Sequence, residues 1–196
     1  ENVYAGYLMT EQRFSDKLTI LAGVRLENTQ ISSTGNIVNY NEDGDYDGHI
    51  TTTSKNSYTN ILPNIHMKYN LSKNSILRLA YTNTIARPNY IDLVPYRNIL
   101  REDEEIELGN PNLKPAKSMN FDVMGEHYFS NIGIISAGIF YKGITDFSYI
   151  YVREVKEDSL GPNTTGFDIK KPENGQDAYV LGAEFSFQRK LNFLPG

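Results

Sequence analysis

The chain has 196 residues, 12% of them aromatic, with 14 Tyr, 9 Phe, no Trp and no Cys, and a formal net charge of -5. Without Cys there is no disulfide framework, thiolate zinc site or cysteine nucleophile, and an acidic chain lacking any cluster of Lys and Arg offers nothing for a nucleic-acid backbone to bind. The mean hydropathy is -0.46, and the longest apolar runs, such as Ile132 to Ile135 and Tyr149 to Val152, fall far short of the ~18 residues of a membrane-crossing helix; the Tyr-rich, Gly-rich composition favours β structure instead.

In chain order, residues 2 to 12 read as extended, with apolar side chains on both faces. Residues 18 to 27 alternate strictly: Leu18, Ile20, Ala22, Val24 and Leu26 on one face, Thr19, Gly23, Arg25 and Glu27 on the other. The same period returns at Ile61, Pro63, Ile65, Met67 and Tyr69 against Asn60, Asn64, His66 and Lys68. It recurs at Leu77, Leu79 and Tyr81 against Arg78, Ala80 and Thr82, and at Met119, Phe121 and Val123 against Asn120, Asp122 and Glu126. Residues 133 to 152 read as one further extended stretch, and Tyr179 to Phe187 alternate with Gly182, Glu184, Ser186 and Gln188. About seven strands are expected.

The connections alternate in length. Short turns are expected at Phe14 to Lys17, Leu71 to Asn74 and Phe129 to Asn131, about every 58 residues, as in successive hairpins of one repeat. Long polar loops are expected at 30 to 56, 86 to 116 and 153 to 177, each far above the usual ~4 to 6 residues. Strands of about ten residues, apolar on one face and polar on the other, with one plain and one decorated end, describe an antiparallel up-and-down transmembrane β-barrel of the outer membrane, its short turns facing the periplasm. A soluble β-sandwich also alternates and would carry Arg25, Glu27, Lys68, Arg78, Asp122 and Glu184 on its solvent face, so these charges alone do not separate it from a barrel, although the strands are longer than sandwich strands usually are.

Residues 62 to 122 hold the most specific strings: Leu62-Pro63-Asn64, Leu79 to Thr82, Ala86-Arg87-Pro88-Asn89-Tyr90 continuing to Pro95, Leu108-Gly109-Asn110-Pro111 continuing to Pro115, and Asn120-Phe121-Asp122. Together they resemble the barrel of TonB-dependent outer-membrane receptors, where an Arg-Pro loop opening is answered by a Gly-Asn-Pro-x-Leu-x-Pro return. The resemblance implies a closed barrel of about 22 strands plugged by a separate N-terminal domain. The whole chain, 1 to 196, would be part of that wall. It carries no segment that reads as a plug, and Asn192 to Gly196 reads as another turn, as in a piece cut from a longer barrel. Physically, Pro88, Pro95, Pro111 and Pro115 end and restart the strand ladder, because proline donates no backbone hydrogen bond.

The loops hold the candidates for binding. Arg87 and Arg97 suit carboxylates or phenolates, Tyr90 and Tyr96 can stack on sugars or aromatic chelators, and Asn89 can hydrogen-bond beside them. Tyr58, Tyr149 and Tyr151 lie near or in the same loops and could stack likewise; the architectural alternative makes those of the five tyrosines nearest the strand ends an interfacial girdle. Asp43, Asp45 and Asp47 have the D-x-D-x-D-G spacing of a calcium loop, but its twelfth position is Ser54, which supplies no bidentate carboxylate; a solvated acidic loop is the plainer reading. Glu102 to Glu105 and Glu107 form a second acidic run, either a hydrated surface or an attractor of cations. His49, His66 and His127 lack ligand spacing, no nucleophile or phosphate motif occurs, and neither enzyme chemistry nor a cofactor is expected.

What the resemblance implies is TonB-energised uptake of a scarce nutrient, a siderophore, cobalamin or a saccharide. Its partners would be the TonB complex acting through a plug, outer-membrane lipid, the small ligand and a surface lipoprotein. A passive porin or adhesin barrel, or a soluble carbohydrate-binding β module, are the alternatives from other classes.

Overall fold

A computed structural model of the chain describes residues 1–129, 133–158 and 160–189. The expected turn at 129–131, past Phe129, and the expected turn at 192–196 lie outside the described residues. No helix among them is long and apolar enough to cross a membrane.

Eleven strands join in one sheet. The wall is a meander of β1 (Asn2–Arg13), β2 (Leu18–Tyr40), β3 (Tyr46–Asn70), β4 (Ser75–Ala86), β7 (Ala116–Phe129), β8 (Gly133–Thr145) and β11 (Asp177–Arg189). Each wall strand pairs antiparallel with the next. The remaining strands, β5 (Arg97–Leu100), β6 (Glu105–Leu108), β9 (Ser148–Glu154) and β10 (Asp168–Asn174), come from the long connections and build a second, smaller layer.

The cross-strand register sorts the side chains as the alternation requires. Glu27 faces Asn60, Lys68 faces Arg78, Ala80 faces Asp122, and Gly138 faces Glu184, so the charged positions share one face. Arg78 and Glu126 pair there at 2.9 Å. On the opposite face Leu26, Ile61, Ile65, Phe121, Ile139, Leu181 and Phe185 are exposed, an apolar surface that hydrocarbon accommodates and water does not. Tyr81 and Phe121 lie in contact on this outward face, with ring centroids 4.9 Å apart.

Besides β5, β6 and β10, which lie within the loops expected at 86 to 116 and 153 to 177, two elements differ from the sequence expectation. The connection expected at 30 to 56 is strand for most of its length: β2 and β3 stay paired from Leu18 with Tyr69 out to Tyr40 with Tyr46, leaving only Asn41 to Asp45 as a tip. In that outer part Ser32, Ser33, Thr34 and Asn36 carry no apolar alternation, while the backbone ladder continues. The stretch expected as a single strand over 133 to 152 breaks at Asp146, whose φ is +55°. There β8 ends and β9 leaves the wall to pair with β10.

The smaller layer has its own core. β5 and β6 form a hairpin, β6 runs parallel to β10, β10 pairs with β9, and a single parallel pairing of Ile37 with Arg97 joins the layer to β2. Ile99, Ile106, Val155 and Ile169 are buried together, with Tyr40, Leu108, Leu160 and Phe167 packed around them. Burying four aliphatic side chains contributes roughly 1.5–3 kcal/mol each, enough to hold segments from three connections as one body. Arg101 adds a cation–π contact, its guanidinium 5.3 Å from the Tyr40 ring centre.

Candidate functional site

After β4 ends at Ala86, the chain turns over the charged face of the wall rather than away from it. Asn89 accepts the Asp92 backbone N–H at 3.1 Å, which starts the single 3-10 turn Ile91–Leu93. Ser33 Oγ donates to the Leu93 carbonyl at 2.7 Å, and Val94 and Pro95 fill the space that a side chain at position 35 would occupy. The return follows the same path. Gly109 lies so close to the Val94 carbonyl that an added Cβ would sit 1.7 Å from it. Asn110 bridges outward, its amide donating to the Pro172 carbonyl at 2.9 Å. Leu113 is fully buried, and Asn174 holds Lys114 by a reciprocal pair of 2.9 and 3.0 Å. The Arg-Pro and Gly-Asn-Pro strings are therefore the fixings of one loop to the wall and to the β9–β10 hairpin.

Beneath that loop lies a charge cluster. Glu27 is buried and takes two hydrogen bonds from Arg25 at 3.0 and 2.9 Å, while its other carboxylate oxygen pairs with Arg87. Arg87 also reaches Glu1, 3.4 Å away. Two guanidinium groups thus compensate a carboxylate that burial alone would disfavour. Thr29 and Asn60 are buried beside it, and Thr29 Oγ1, Tyr58 O–H and Asn60 Nδ2 are enclosed without a hydrogen-bond partner.

The five expected contact residues do not converge. Arg87 and Tyr90 meet at Glu1, and the hydrogen bond to the Glu1 carboxylate raises the Tyr90 hydroxyl above its ordinary pKa. Tyr90 remains exposed, available to a ligand. Asn89 turns to Asp92 at 3.4 Å. Tyr96 is half-buried, and desolvation, followed by Glu107 and Asp92, raises its pKa. Arg97 is committed to the Val38 carbonyl at 2.8 Å and to Asn39 Oδ1 at 3.3 Å. None of the five tyrosines near the long loops stands on the outward face of the wall, so the girdle expected among those nearest the strand ends is corrected. Tyr58 shares the charged face of the wall, Tyr90 and Tyr96 belong to the covering loop, and Tyr149 and Tyr151 stand on β9, off the wall. Glu27, Thr29, Tyr58 and Asn60 are the site residues missed from sequence. Glu27 and Asn60 stand on the polar side of the alternation, Thr29 and Tyr58 just beyond it, and only the β2–β3 register shows that the four adjoin.

Asp43, Asp45 and Asp47 belong to a hairpin tip and the start of β3: Asn41 accepts the Asp45 backbone N–H at 2.8 Å, and Tyr46 already pairs with Tyr40. Among the described residues no group of three His, Cys, Asp or Glu side chains could hold a metal ion. The second acidic run is the tip of the β5–β6 hairpin, with Glu105 ion-paired to Lys170.

Comparison with known proteins agrees with this architecture. No curated protein matches the sequence. Among solved structures, the hemophore receptor HasR of Serratia marcescens, in complex with its hemophore HasA and heme, superposes with a TM-score of 0.67 at 12% identity, covering 93% of this chain and 31% of that one. The copper transporter OprC gives 0.65 at 14% identity over 93% of this chain and 26% of its own. The siderophore receptor PirA of Acinetobacter baumannii gives 0.63 at 15% identity over 97% and 26%. The chain thus spans about a third or less of these proteins, and the likeness is one of fold. The expected stretch of an outer-membrane receptor barrel is borne out at that level. A family model described as the outer membrane protein beta-barrel family matches residues 1–193, and the chain belongs to that family.

Proposed function

We propose that this chain forms wall and outer loops of a TonB-dependent receptor that takes up a scarce nutrient across the outer membrane. The observation that carries the reading is the covering loop: residues 87 to 115 lie on the charged face of β2 and β3, held by Arg87 to Glu27 and by Ser33 to Leu93. A passive porin needs an open lumen, whereas a receptor needs rigid outer loops that retain a ligand until energy is supplied. Joining three connections through one small core favours the second requirement. The structural relatives include receptors for a heme-carrying hemophore and for siderophores, and a copper transporter, which makes a scarce metal complex the first substrate class to try. Saccharides and cobalamin follow. Arg87 and Tyr90 are the proposed ligand contacts, with Asn89, Tyr96 and Arg97 supporting the loop that presents them. In this reading a plug domain and the TonB complex supply the energy coupling, and a surface lipoprotein is a further partner.

The test is uptake of labelled iron–siderophore, heme, copper, cobalamin and oligosaccharide by cells with and without the gene, with a protonophore as the second variable. The proposal expects one substrate whose uptake needs both the gene and the proton gradient. Gene-dependent uptake that persists with the protonophore, accompanied by steady conductance of the purified protein in planar bilayers, would identify a porin instead.

A further inference from the structure

Asn174-Gly175 is the one Asn-Gly pair of the chain. Such a pair is chemically fragile, because a residue without a side chain lets its backbone nitrogen swing onto the amide carbon of the asparagine before it. In that reaction the Gly175 nitrogen bonds to Asn174 Cγ, the Cγ–Nδ2 bond breaks, and Nδ2 leaves as ammonia with the displaced proton. Water then opens the five-membered imide at either carbonyl, giving aspartate or isoaspartate. Only water is consumed, so the protein controls the reaction through access to the cyclising conformation.

The fold withholds that conformation. Asn174 ends β10 opposite Ser148, and the Gly175 N–H donates to the Phe147 carbonyl at 2.6 Å. Asn174 Nδ2 donates to the Lys114 carbonyl at 3.0 Å and to the Asp146 carbonyl at 2.7 Å, while Oδ1 accepts the Lys114 N–H at 2.9 Å. The Phe147 ring lies over Gly175, so close that an added Cβ would sit 2.3 Å from Cζ. The attacking nitrogen, the leaving group and the space above them are all occupied.

The position of the pair gives the reaction a consequence. β8 leaves the wall for β9 at Asp146, β10 returns to β11 through Gly175 and Gln176, and Lys114 leads the covering loop into β7. Three passages between the outer layer and the wall therefore meet on one side chain. Asp146 holds a left-handed φ of +55°, which costs energy in a residue with a side chain, and its carbonyl is one of the two that Asn174 secures. An aspartate at 174 is an acceptor with no hydrogens to give. Its carboxylate would face the Lys114 and Asp146 carbonyl oxygens, acceptor against acceptor, and both donated bonds would be lost.

We propose that Asn174-Gly175 is a conformation-gated deamidation site: intact while the outer layer is clamped to the wall, converted to aspartate or isoaspartate when the layer opens, and unable to restore the clamp afterwards. The gate is independent of which nutrient is carried and of how uptake is energised. The experiment is peptide mapping by mass spectrometry of the intact protein, purified from outer membranes and incubated in detergent at neutral pH, beside the same chain unfolded in urea. Deamidation at Asn174 is expected to be slower in the folded protein by roughly tenfold or more, since it draws on a minor open population. Phe147→Ala, which clears the space above Gly175, should raise the folded rate toward that of the unfolded chain. Asn174→Asp should lose hydrogen-exchange protection in β9 and β10 while β4, β7 and β8 keep theirs. Should Phe147→Ala fail to fold, as judged by heat-modified gel mobility, the other two comparisons decide. Equal rates in the folded and unfolded chains, a Phe147→Ala rate no higher than that of the unsubstituted protein, or full protection in Asn174→Asp would overturn the proposal.

Discussion

Glu27 is a buried carboxylate in a wall strand, and its environment depends on a residue sixty positions along the chain. Removing one partner of a buried ion pair costs ~3–5 kcal/mol when no other partner remains. Here Arg25 still bonds one carboxylate oxygen, and the Arg87 side chain is about one-third exposed, so Arg87→Ala is expected to cost less, about 1–2 kcal/mol after screening. Hydrogen exchange should show faster exchange in residues 87 to 95 with little change in β4. Asp158 gives a pH-dependent counterpart in the outer layer. Its carboxylate accepts the Thr165 hydroxyl at 2.8 Å and the Thr165 and Thr164 backbone N–H groups at 2.7 and 2.8 Å, and these bonds, the Thr165 hydroxyl first, lower its pKa. A carboxylate with a depressed folded pKa stabilises its turn above the unfolded pKa and loses that contribution as pH falls through the folded value. Protection of the Thr164 and Thr165 amides, taken relative to the intrinsic exchange rate at each pH, should therefore fall on acidification below the ordinary Asp range. In Asp158→Asn, which does not titrate, this acid-induced loss of protection should be absent.

At the scale of the element, the outer layer is held by a few side chains drawn from distant segments. Ile106 is fully buried among Ile99, Val155 and Ile169, and Ile106→Ala is expected to cost roughly 2–5 kcal/mol. If the layer is one body, protection should fall together in β5, β6, β9 and β10 while β4, β7 and β8 keep theirs; loss confined to β6 would mean that the hairpins fold separately. Five of the seven wall strands were legible from sequence because lipid on one side and polar surroundings on the other impose a period of two on residues such as Met119 to Val123, while β1 and β8 showed only as extended stretches. The outer half of the β2–β3 ladder was not, because Ser32, Ser33, Thr34 and Asn36 meet no hydrocarbon and carry no such pattern. The pairing of β6 with β10 was hidden for another reason. Two short strands more than sixty residues apart meet in parallel, and nothing local encodes that meeting. The same holds for the site. Arg87 was visible through its Arg-Pro string, whereas its partners Glu27 and Glu1 depend on the path of the loop.

For the molecule as a whole, the account divides the sheet into an outward face of hydrocarbon, an inward face of charge, and a loop layer fixed across part of the latter. This division explains how exposed Phe121, Leu181 and Phe185 coexist with a buried Glu27, because the two kinds of residue meet different media. The absence of Cys from the chain makes the division directly measurable by introducing single cysteines along β7 in the intact protein, labelling each with a fluorophore and adding a quencher confined to the bilayer. Met119→Cys, Phe121→Cys and Val123→Cys should be strongly quenched, and Asn120→Cys, Asp122→Cys and Met124→Cys weakly, in strict alternation. Quenching that is uniform along β7, or strongest at the even positions, would contradict the account.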